Sequence, residues 1–162
     1  MGDPDKAKAS YQEAIKKDPT HQESYVALGD LYAGQGKHVY AALTYGDAIR
    51  LNPTEPASRF KQGLNYFKGS EWGRAVSSWE DLLHYDPHNQ EVRTLLPQAY
   101  YILAVEYNRV GEAGLGQTAF RKALSVNKNS GQWLPGSMRT LGDYYRDKGM
   151  FRESLAAYQE AI

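Results

Sequence analysis

Hydrophobic and aromatic positions recur along this chain in five similar segments. In each segment an aromatic residue is followed by a small or apolar residue three positions later and another four positions later. That spacing places the three side chains on one stripe of an α-helix. The segments begin at Tyr11, Tyr45, Trp79, Phe120 and Tyr158. The pattern therefore predicts five similar amphipathic helices.

A second pattern lies upstream of the last four segments and predicts a partner helix for each. Its four copies are Leu28-Gly29-x-x-Tyr32, Gln62-Gly63-x-x-Tyr66, Leu103-Ala104-x-x-Tyr107 and Leu141-Gly142-x-x-Tyr145. A glycine-containing turn follows each copy, and the small residue in each would let two helices approach closely. We expect each unit to consist of a helix, a glycine turn, a second helix and a final turn.

The final turns reveal the length of the repeat. Pro19, Pro53 and Pro87 are each 34 residues apart, and each follows an Asp or an Asn. From Gly29 the small-residue column continues after 34, 41 and 38 residues. The extra seven and four residues are close to two turns and one turn of helix, which would keep the apolar face in phase.

On these residues the chain resembles the tetratricopeptide repeat, a 34-residue helix–turn–helix family. Its pattern is aromatic–x2–Leu–Gly–x2–Tyr, then Ala–x3–aromatic–x2–Ala, then Pro. The second unit matches it in Tyr25, Leu28, Gly29, Tyr32, Ala41, Tyr45, Ala48 and Pro53. Departures are Arg59, Gln62, Gly116, Ser154, and Lys128 where the pattern has Pro.

The resemblance implies an all-α fold, a right-handed α-α superhelix of about nine antiparallel helices. A single array over residues 1–162 would contain a half repeat (3–19) and repeats at 22–55, 56–89, 90–130 and 131–162. The third full repeat would carry the two-turn insertion and the last, truncated one the one-turn insertion. Because the array would start and stop inside repeats, we expect a fragment of a longer solenoid.

Two local features predict helix starts. Thr20 and Glu23 have the spacing of a capping box. Pro56, Pro97 and Pro135 occupy equivalent positions, where a helix start tolerates the missing N–H. If the helix around Pro97 instead runs on from Asn89, Pro97 would lie inside it and kink it.

Composition narrows the function. The chain has 19 Lys and Arg against 19 Asp and Glu, so it lacks the field of a nucleic-acid binder. It has no cysteine, which excludes disulfides and thiol chemistry. The most apolar stretch, residues 95–105, is about half of a membrane span. The N-terminus lacks a secretory signal, which favours the cytoplasm without fixing the compartment.

Catalysis has little support in the sequence. His84 and His88 are four residues apart, but Pro87 between them keeps them off one helix face. The glycine-rich stretch at 111–118 lacks the Gly-Lys-Ser/Thr ending of a phosphate loop. We therefore expect no enzyme activity, no cofactor and no metal site.

The resemblance instead implies that the first helices of successive units line an inner, concave groove. The second unit would contribute Glu23, Val26, Ala27, Asp30 and Ala33. The candidate partner-binding groove is formed by apolar and basic residues of the next two units: Phe60, Lys61, Leu64, Phe67, Lys68, Tyr101, Ile102, Val105 and Arg109. This set favours a protein or peptide partner with an apolar segment and acidic groups. Alternatively, these side chains pack against each other in a tight superhelix.

The sequence bears on two further roles. Some tetratricopeptide proteins clamp the C-terminal carboxylate of heat-shock chaperones, but the corresponding positions here (Val26, Asp30, Lys61, Gln98 and Ile102) include a single cation, which disfavours that role. The chain could also be a structural assembly module. Its last apolar residues, Leu155, Tyr158, Ala161 and Ile162, would then pair with another copy. Non-catalytic scaffolding through the groove is the main hypothesis, and self-association through the open ends is the alternative.

Overall fold

The computed structural model describes residues 3–126 and the single helical residue Arg146. Within residues 3–126 all regular structure is helical, as predicted. Seven helices follow one another: α1 (Pro4–Lys17), α2 (Gln22–Gly34), α3 (His38–Leu51), α4 (Pro56–Lys68), α5 (Trp72–Tyr85), α6 (Gln90–Arg109) and α7 (Ala113–Val126). The chain divides into two compact units, Met1–Val92 and Arg93–Ile162. The division falls within α6.

In the first unit, large aromatic side chains pack onto residues without a side chain. Tyr45 of α3 lies against Gly29 of α2, and Trp79 of α5 lies against Gly63 of α4. A β-carbon at Gly63 would stand 2.5 Å from Cδ1 of Trp79, so no larger residue fits there without movement. Tyr45 and Trp79 are 1% and 0% exposed. The predicted small residues and the predicted aromatic residues therefore form the core together, because each glycine leaves space for one aromatic ring.

The turn between the two helices of a repeat has the same geometry three times. The N–H groups of Lys37, Glu71 and Glu112 donate to the carbonyls of Tyr32, Tyr66 and Tyr107 at 2.9, 2.9 and 2.8 Å. This six-residue bond is the mark of a Schellman motif, which needs one residue with positive φ. Gly36 and Gly111 supply it with φ of 71° and 88°, whereas the first unit's other turn uses Ser70 with φ of 63°.

The Asp/Asn-Pro turns also repeat, and they end α1, α3 and α5. The N–H groups of Asp18, Asn52 and Asp86 donate to helix carbonyls four residues earlier, after which Pro prevents continuation. The capping box predicted next to the first of these turns is wrong. The N-cap of α2 is His21, whose side chain makes no capping hydrogen bond. Thr20 does not act as the cap, because its hydroxyl donates to Asp18 at 2.6 Å.

Pro97 lies inside α6 and is not at its start. The helix begins at Gln90, so the predicted two-turn insertion is helical and extends the first helix of its repeat. Asn89 opens it, since its Oδ1 accepts the N–H of Val92 at 3.0 Å. Pro97 is wholly buried, which shows that its ring serves packing within the longer helix.

In the second unit one close contact has its glycine on the second helix of the pair, whereas Gly29 and Gly63 lie on the first helix of theirs. In α7 Gly116 takes the place of the family's Ala, and a β-carbon there would lie 2.6 Å from Nδ2 of Asn108 in α6. Asn108 is 4% exposed and donates to the carbonyl of Ala104 at 2.8 Å. The departure at Gly116 therefore makes room for a buried polar side chain.

Candidate functional site

A cleft of about 300 Å³ lies between α2 and α4 in the first unit. Small or apolar side chains and charged or polar ones line it together. The lining residues are Gln22, Glu23, Val26, Ala27, Asp30, Glu55, Ala57, Ser58 and Lys61. Most of the inner-face residues expected from the repeat at 22–55 therefore lie in this cleft, together with Lys61 of the candidate groove.

One ion pair crosses the cleft and continues into the core. Lys61 Nζ contacts the two carboxylate oxygens of Asp30 at 2.8 and 2.9 Å. The buried Tyr45 hydroxyl donates to Asp30 Oδ1 at 2.6 Å. Burial, and then the hydrogen bond and charge of Asp30, raise the pKa of Tyr45, so this hydroxyl keeps its proton. Asp30 is thus held from two sides, and the charge of Lys61 is compensated within the chain.

Glu55 forms the corner of the cleft at the start of α4. Its Oε1 accepts the N–H of Ala57 at 2.9 Å, and its Oε2 accepts the N–H of Ser58 at 2.8 Å. Partial burial opposes ionisation, but the hydrogen bonds from Ser58 and Ala57 and the charge of Lys61 outweigh it and lower the pKa of Glu55. The residue is therefore a charged N-cap that also faces the cleft.

A second cleft of about 240 Å³ adjoins the first on the other side of α4. It is lined by Pro56, Ala57, Phe60, Lys61, Asn89 and Glu91. Because Ala57 and Lys61 line both clefts, one turn of α4 forms the ridge between them. Together the two clefts make a continuous surface on the first unit, which we call the α4 double cleft.

The small and aromatic residues that pair in the core belong to a repeat that is also found when the sequence is compared with profiles of known families. Profiles of the tetratricopeptide repeat match residues 1–56 and residues 97–130, which together are more than half of the chain. The chain belongs to the tetratricopeptide repeat family. Proteins of this family are generally non-catalytic interaction modules, and the fold supports a protein-interaction scaffold.

Solved structures show the same tetratricopeptide solenoid. A crystal structure of MamA is 24% identical, with 99% of this chain and 87% of that chain covered and a TM-score of 0.57. The C-terminal part of a tetratricopeptide repeat-containing protein from Cytophaga hutchinsonii is 20% identical, covers 95% of this chain and 60% of its own, and has a TM-score of 0.60. These likenesses establish the all-α superhelical fold and nothing beyond it.

One curated protein also matches by sequence. The transcription factor tau 131 kDa subunit of Saccharomyces cerevisiae is 25% identical over 141 residues. The match covers 66% of this chain but only 13% of that protein. The chain therefore spans about one eighth of the length of this relative.

The structure places the rest of the predicted groove in different surroundings. Phe67 packs against Trp72 and Trp79, with ring centroids 5.1 and 5.7 Å apart, so it belongs to an aromatic cluster on α4 and α5. Leu64 is half-buried and Lys68 is exposed. The structure brings Phe60 and Lys61 into the α4 double cleft, whereas Leu64, Phe67 and Lys68 do not line it.

The remaining groove candidates belong to the second unit. Tyr101 packs edge-on against Phe120 at 6.3 Å between centroids. Arg109 pairs with Glu106, with 2.7 Å between Nη2 and Oε2. Ile102 and Val105 are half-buried. Two of the three predicted groove cations, Lys61 and Arg109, are therefore neutralised by partners on their own chain.

Sequence reasoning missed Glu55, Ala57 and Glu91 of the α4 double cleft. The available signal for Glu55 was its place directly before Pro56, where an acidic side chain can cap a helix. In residues 3–126 no group of three or more potential ligand side chains is placed to hold a metal ion. Among the described helices, none is long and apolar enough to cross a membrane.

Proposed function

We propose that this chain is a non-catalytic scaffold that binds an extended peptide segment of a partner protein in the α4 double cleft. The observation that supports it most is the continuity of the two clefts across one turn of α4. Apolar residues Val26, Ala27 and Phe60 offer anchor sites along this surface, and charged and polar side chains line the same clefts. Such a combination suits a partner segment that inserts alternate side chains.

The titratable groups with displaced pKa values support a binding role over a catalytic one. Asp18 closes a turn, where hydrogen bonds from Thr20 lower the pKa of its carboxyl. Glu55 caps α4, and Tyr45 anchors Asp30 from the core. Within residues 3–126 each displaced pKa therefore has a structural cause, and none of them creates a nucleophile or a general base poised near neutral pH.

The first experiment locates the partner contact. A photocrosslinking amino acid is placed at Ala57, on the ridge of the double cleft, and in a matched variant at Ser77, on the exposed face of α5. We expect partner adducts from position 57 that diminish when Phe60 is replaced by Ala. Equal adduct yields from both positions would contradict binding in the double cleft.

The second experiment measures the anchors with the partner segment so identified. Phe60→Ala should weaken binding by more than about 1 kcal/mol while the helical circular dichroism stays unchanged. Tyr101→Ala tests the candidates of the second unit separately, and a similar loss there would support the full predicted set. A folded Phe60→Ala variant with unchanged affinity would refute the proposal.

A further inference from the structure

The α4 double cleft carries an excess of negative charge although the whole chain is neutral. Its lining contains four carboxylates and one ammonium group. The carboxylates are Glu23, Asp30, Glu55 and Glu91, and the ammonium is that of Lys61. Since Lys and Arg equal Asp and Glu over the whole sequence, the excess is local to this surface.

The single ammonium group is not available to a partner's acid. Lys61 Nζ already lies within 2.9 Å of the two oxygens of Asp30, and Tyr45 holds that carboxylate in place from below. An acidic ligand would have to displace Asp30 from Lys61 while Asp30 stays tied to Tyr45. The interaction expected from Lys61 in the sequence is therefore already satisfied within the chain.

The carboxylates at the two ends of the double cleft are open to solvent. The side chain of Glu23 is 78% exposed, and its carboxylate lies 3.5 Å from Nε2 of His21. Glu91 is also exposed. Between them lie the apolar surfaces of Ala27, Ala57 and Phe60. A ligand that covers these apolar surfaces thus passes one carboxylate at each end.

We propose that the double cleft selects a basic segment, with Lys or Arg side chains next to apolar anchors. The inference rests on the proposed function and specifies its ligand. The basic groups pair with Glu23 and Glu91, and the apolar anchors cover Ala27 and Phe60. Complementary charge of this kind favours the right partner and repels acidic ones.

The width of α4 sets the length of the probe, because the two clefts lie on either side of this helix. A helix with its side chains is about 10–12 Å wide, and an extended chain rises about 3.1–3.4 Å per residue. About three residues therefore separate side chains that enter neighbouring clefts. A suitable probe is a fluorescein-labelled nonapeptide with two leucines three positions apart and lysines beside them. Two matched probes replace the lysines by glutamine or by glutamate.

Fluorescence anisotropy with the full 162-residue chain compares the three probes. The lysine probe should bind at least about tenfold tighter than the glutamate probe at low salt, with the glutamine probe between them. Glu23→Gln combined with Glu91→Gln should reduce the preference for lysine to about threefold or less. The matched control, Glu13→Gln with Glu112→Gln, changes the net charge equally at exposed sites outside the cleft and should retain the preference.

A further variant separates this inference from the proposed function. In Ala57→Trp a large side chain stands on the ridge and occupies space in the clefts on either side. This variant should abolish binding of every probe, and circular dichroism checks its fold. If the glutamine or glutamate probe binds as tightly as the lysine probe and Ala57→Trp blocks it, peptide binding stands and the charge preference is overturned. If no probe binds, or Ala57→Trp leaves binding unchanged, both are overturned.

Discussion

At the scale of single residues, Ser70 is the one described non-glycine position with positive φ. It occupies the place of Gly36 and Gly111 in the three equivalent turns. A side chain in this left-handed region costs about 1–2 kcal/mol, a cost that glycine avoids. The turn therefore forms in spite of its residue, because the Schellman hydrogen bond and the flanking helices hold it.

Ser70→Gly should stabilise the protein by about 0.5–1 kcal/mol, the strain relief less the added flexibility of the unfolded chain. Urea denaturation followed by circular dichroism measures the change. The control is Ser77→Gly, the same replacement on the exposed face of α5, which should destabilise by about 0.5 kcal/mol. A loss of stability at position 70 equal to that at 77 would contradict the strain argument.

Glu55 links one residue's ionisation to the start of α4. The pKa of Glu55 is lower in the folded protein than in the unfolded chain. Its ionised carboxylate therefore contributes fully to the free energy of unfolding above the pKa of an unfolded glutamate, about 4.3, and this contribution is lost as the pH falls through the pKa of the folded protein. Glu55→Gln should cost about 0.5–1 kcal/mol at pH 7, the usual scale of an N-cap.

The pH dependence of that cost is the test. Urea unfolding at pH 7, 5, 4 and 3 should show the difference between wild type and Glu55→Gln shrinking toward acid. Glu13→Gln, which removes an exposed carboxylate from the middle of α1, controls for the loss of one negative charge. A difference that stays constant from pH 7 to pH 3 would show that the ionised carboxylate is not the stabilising group.

At the scale of helices, the repeat boundary contains a polar contact that replaces the family's leucine. Gln62 of α4 donates to the carbonyl of Ala42 at 3.2 Å and accepts the hydroxyl of Ser78 at 3.1 Å. Its Nε2 would stand 2.9 Å from a β-carbon added at Gly46 of α3. The glutamine and the glycine therefore fit each other across α3, α4 and α5.

A double-mutant cycle tests this fit. Gly46→Ala should destabilise the wild type by about 1 kcal/mol, because it pushes the Gln62 amide out of its hydrogen bonds. In the Gln62→Ala background the same change should be neutral or stabilising by up to about 1 kcal/mol, since alanine favours helix. Urea denaturation of the four proteins gives the coupling energy. Additive effects would mean that the two positions act independently.

The helices and their core were predictable from the sequence, whereas the site was only partly so. The 34-residue spacing and the small–aromatic columns act within one helix pair at a time, so Tyr45, Trp79 and Phe120 could be placed in the core. The pairing of Lys61 with Asp30 joins residues 31 positions apart on two different helices. Nothing local distinguishes Asp30 from other carboxylates on the same face, so the sequence left Lys61 as a free cation.

The contacts of Arg59 also could not be predicted from the local sequence, because they join residues on different elements. Arg59 stands where the family has an aromatic residue. Its guanidinium donates to the carbonyl of Pro53 at 2.9 and 3.1 Å and lies 4.9 Å from the ring of Tyr85. Its side chain is 12% exposed. The pattern marked Arg59 as a departure, but only the fold shows that it joins the preceding turn to the end of α5.

At the scale of the whole molecule, burial is uneven along the first unit. Within it, each of the helices α1 to α5 contacts its neighbours in sequence, as expected for a repeat array. Helix α1 has no fully buried residue, whereas Ala41, Ala42 and Ala48 of α3 are 0% exposed. Since local stability follows buried contacts, the first unit should open from its N-terminal helix.

Hydrogen exchange measured by mass spectrometry tests this gradient. Peptides from α1 should exchange with an opening free energy of about 0–2 kcal/mol, and peptides from α3 and α5 should be protected close to the global value. Dilution of the sample serves as the control, because protection arising from self-association would fall with concentration. Equal protection of α1 and α3 at every concentration would contradict the gradient.

The Gln62–Gly46 fit and the Lys61–Asp30 pair both join one repeat to the next. Recombination that exchanges whole repeats between proteins of this family would keep Gly29 with Tyr45 and Gly63 with Trp79. It would separate Gln62 from Gly46 and Lys61 from Asp30. Among the described helices, α2 through α5 is therefore the segment that keeps both boundary contacts, and a graft of either helix pair alone would carry a mismatched boundary.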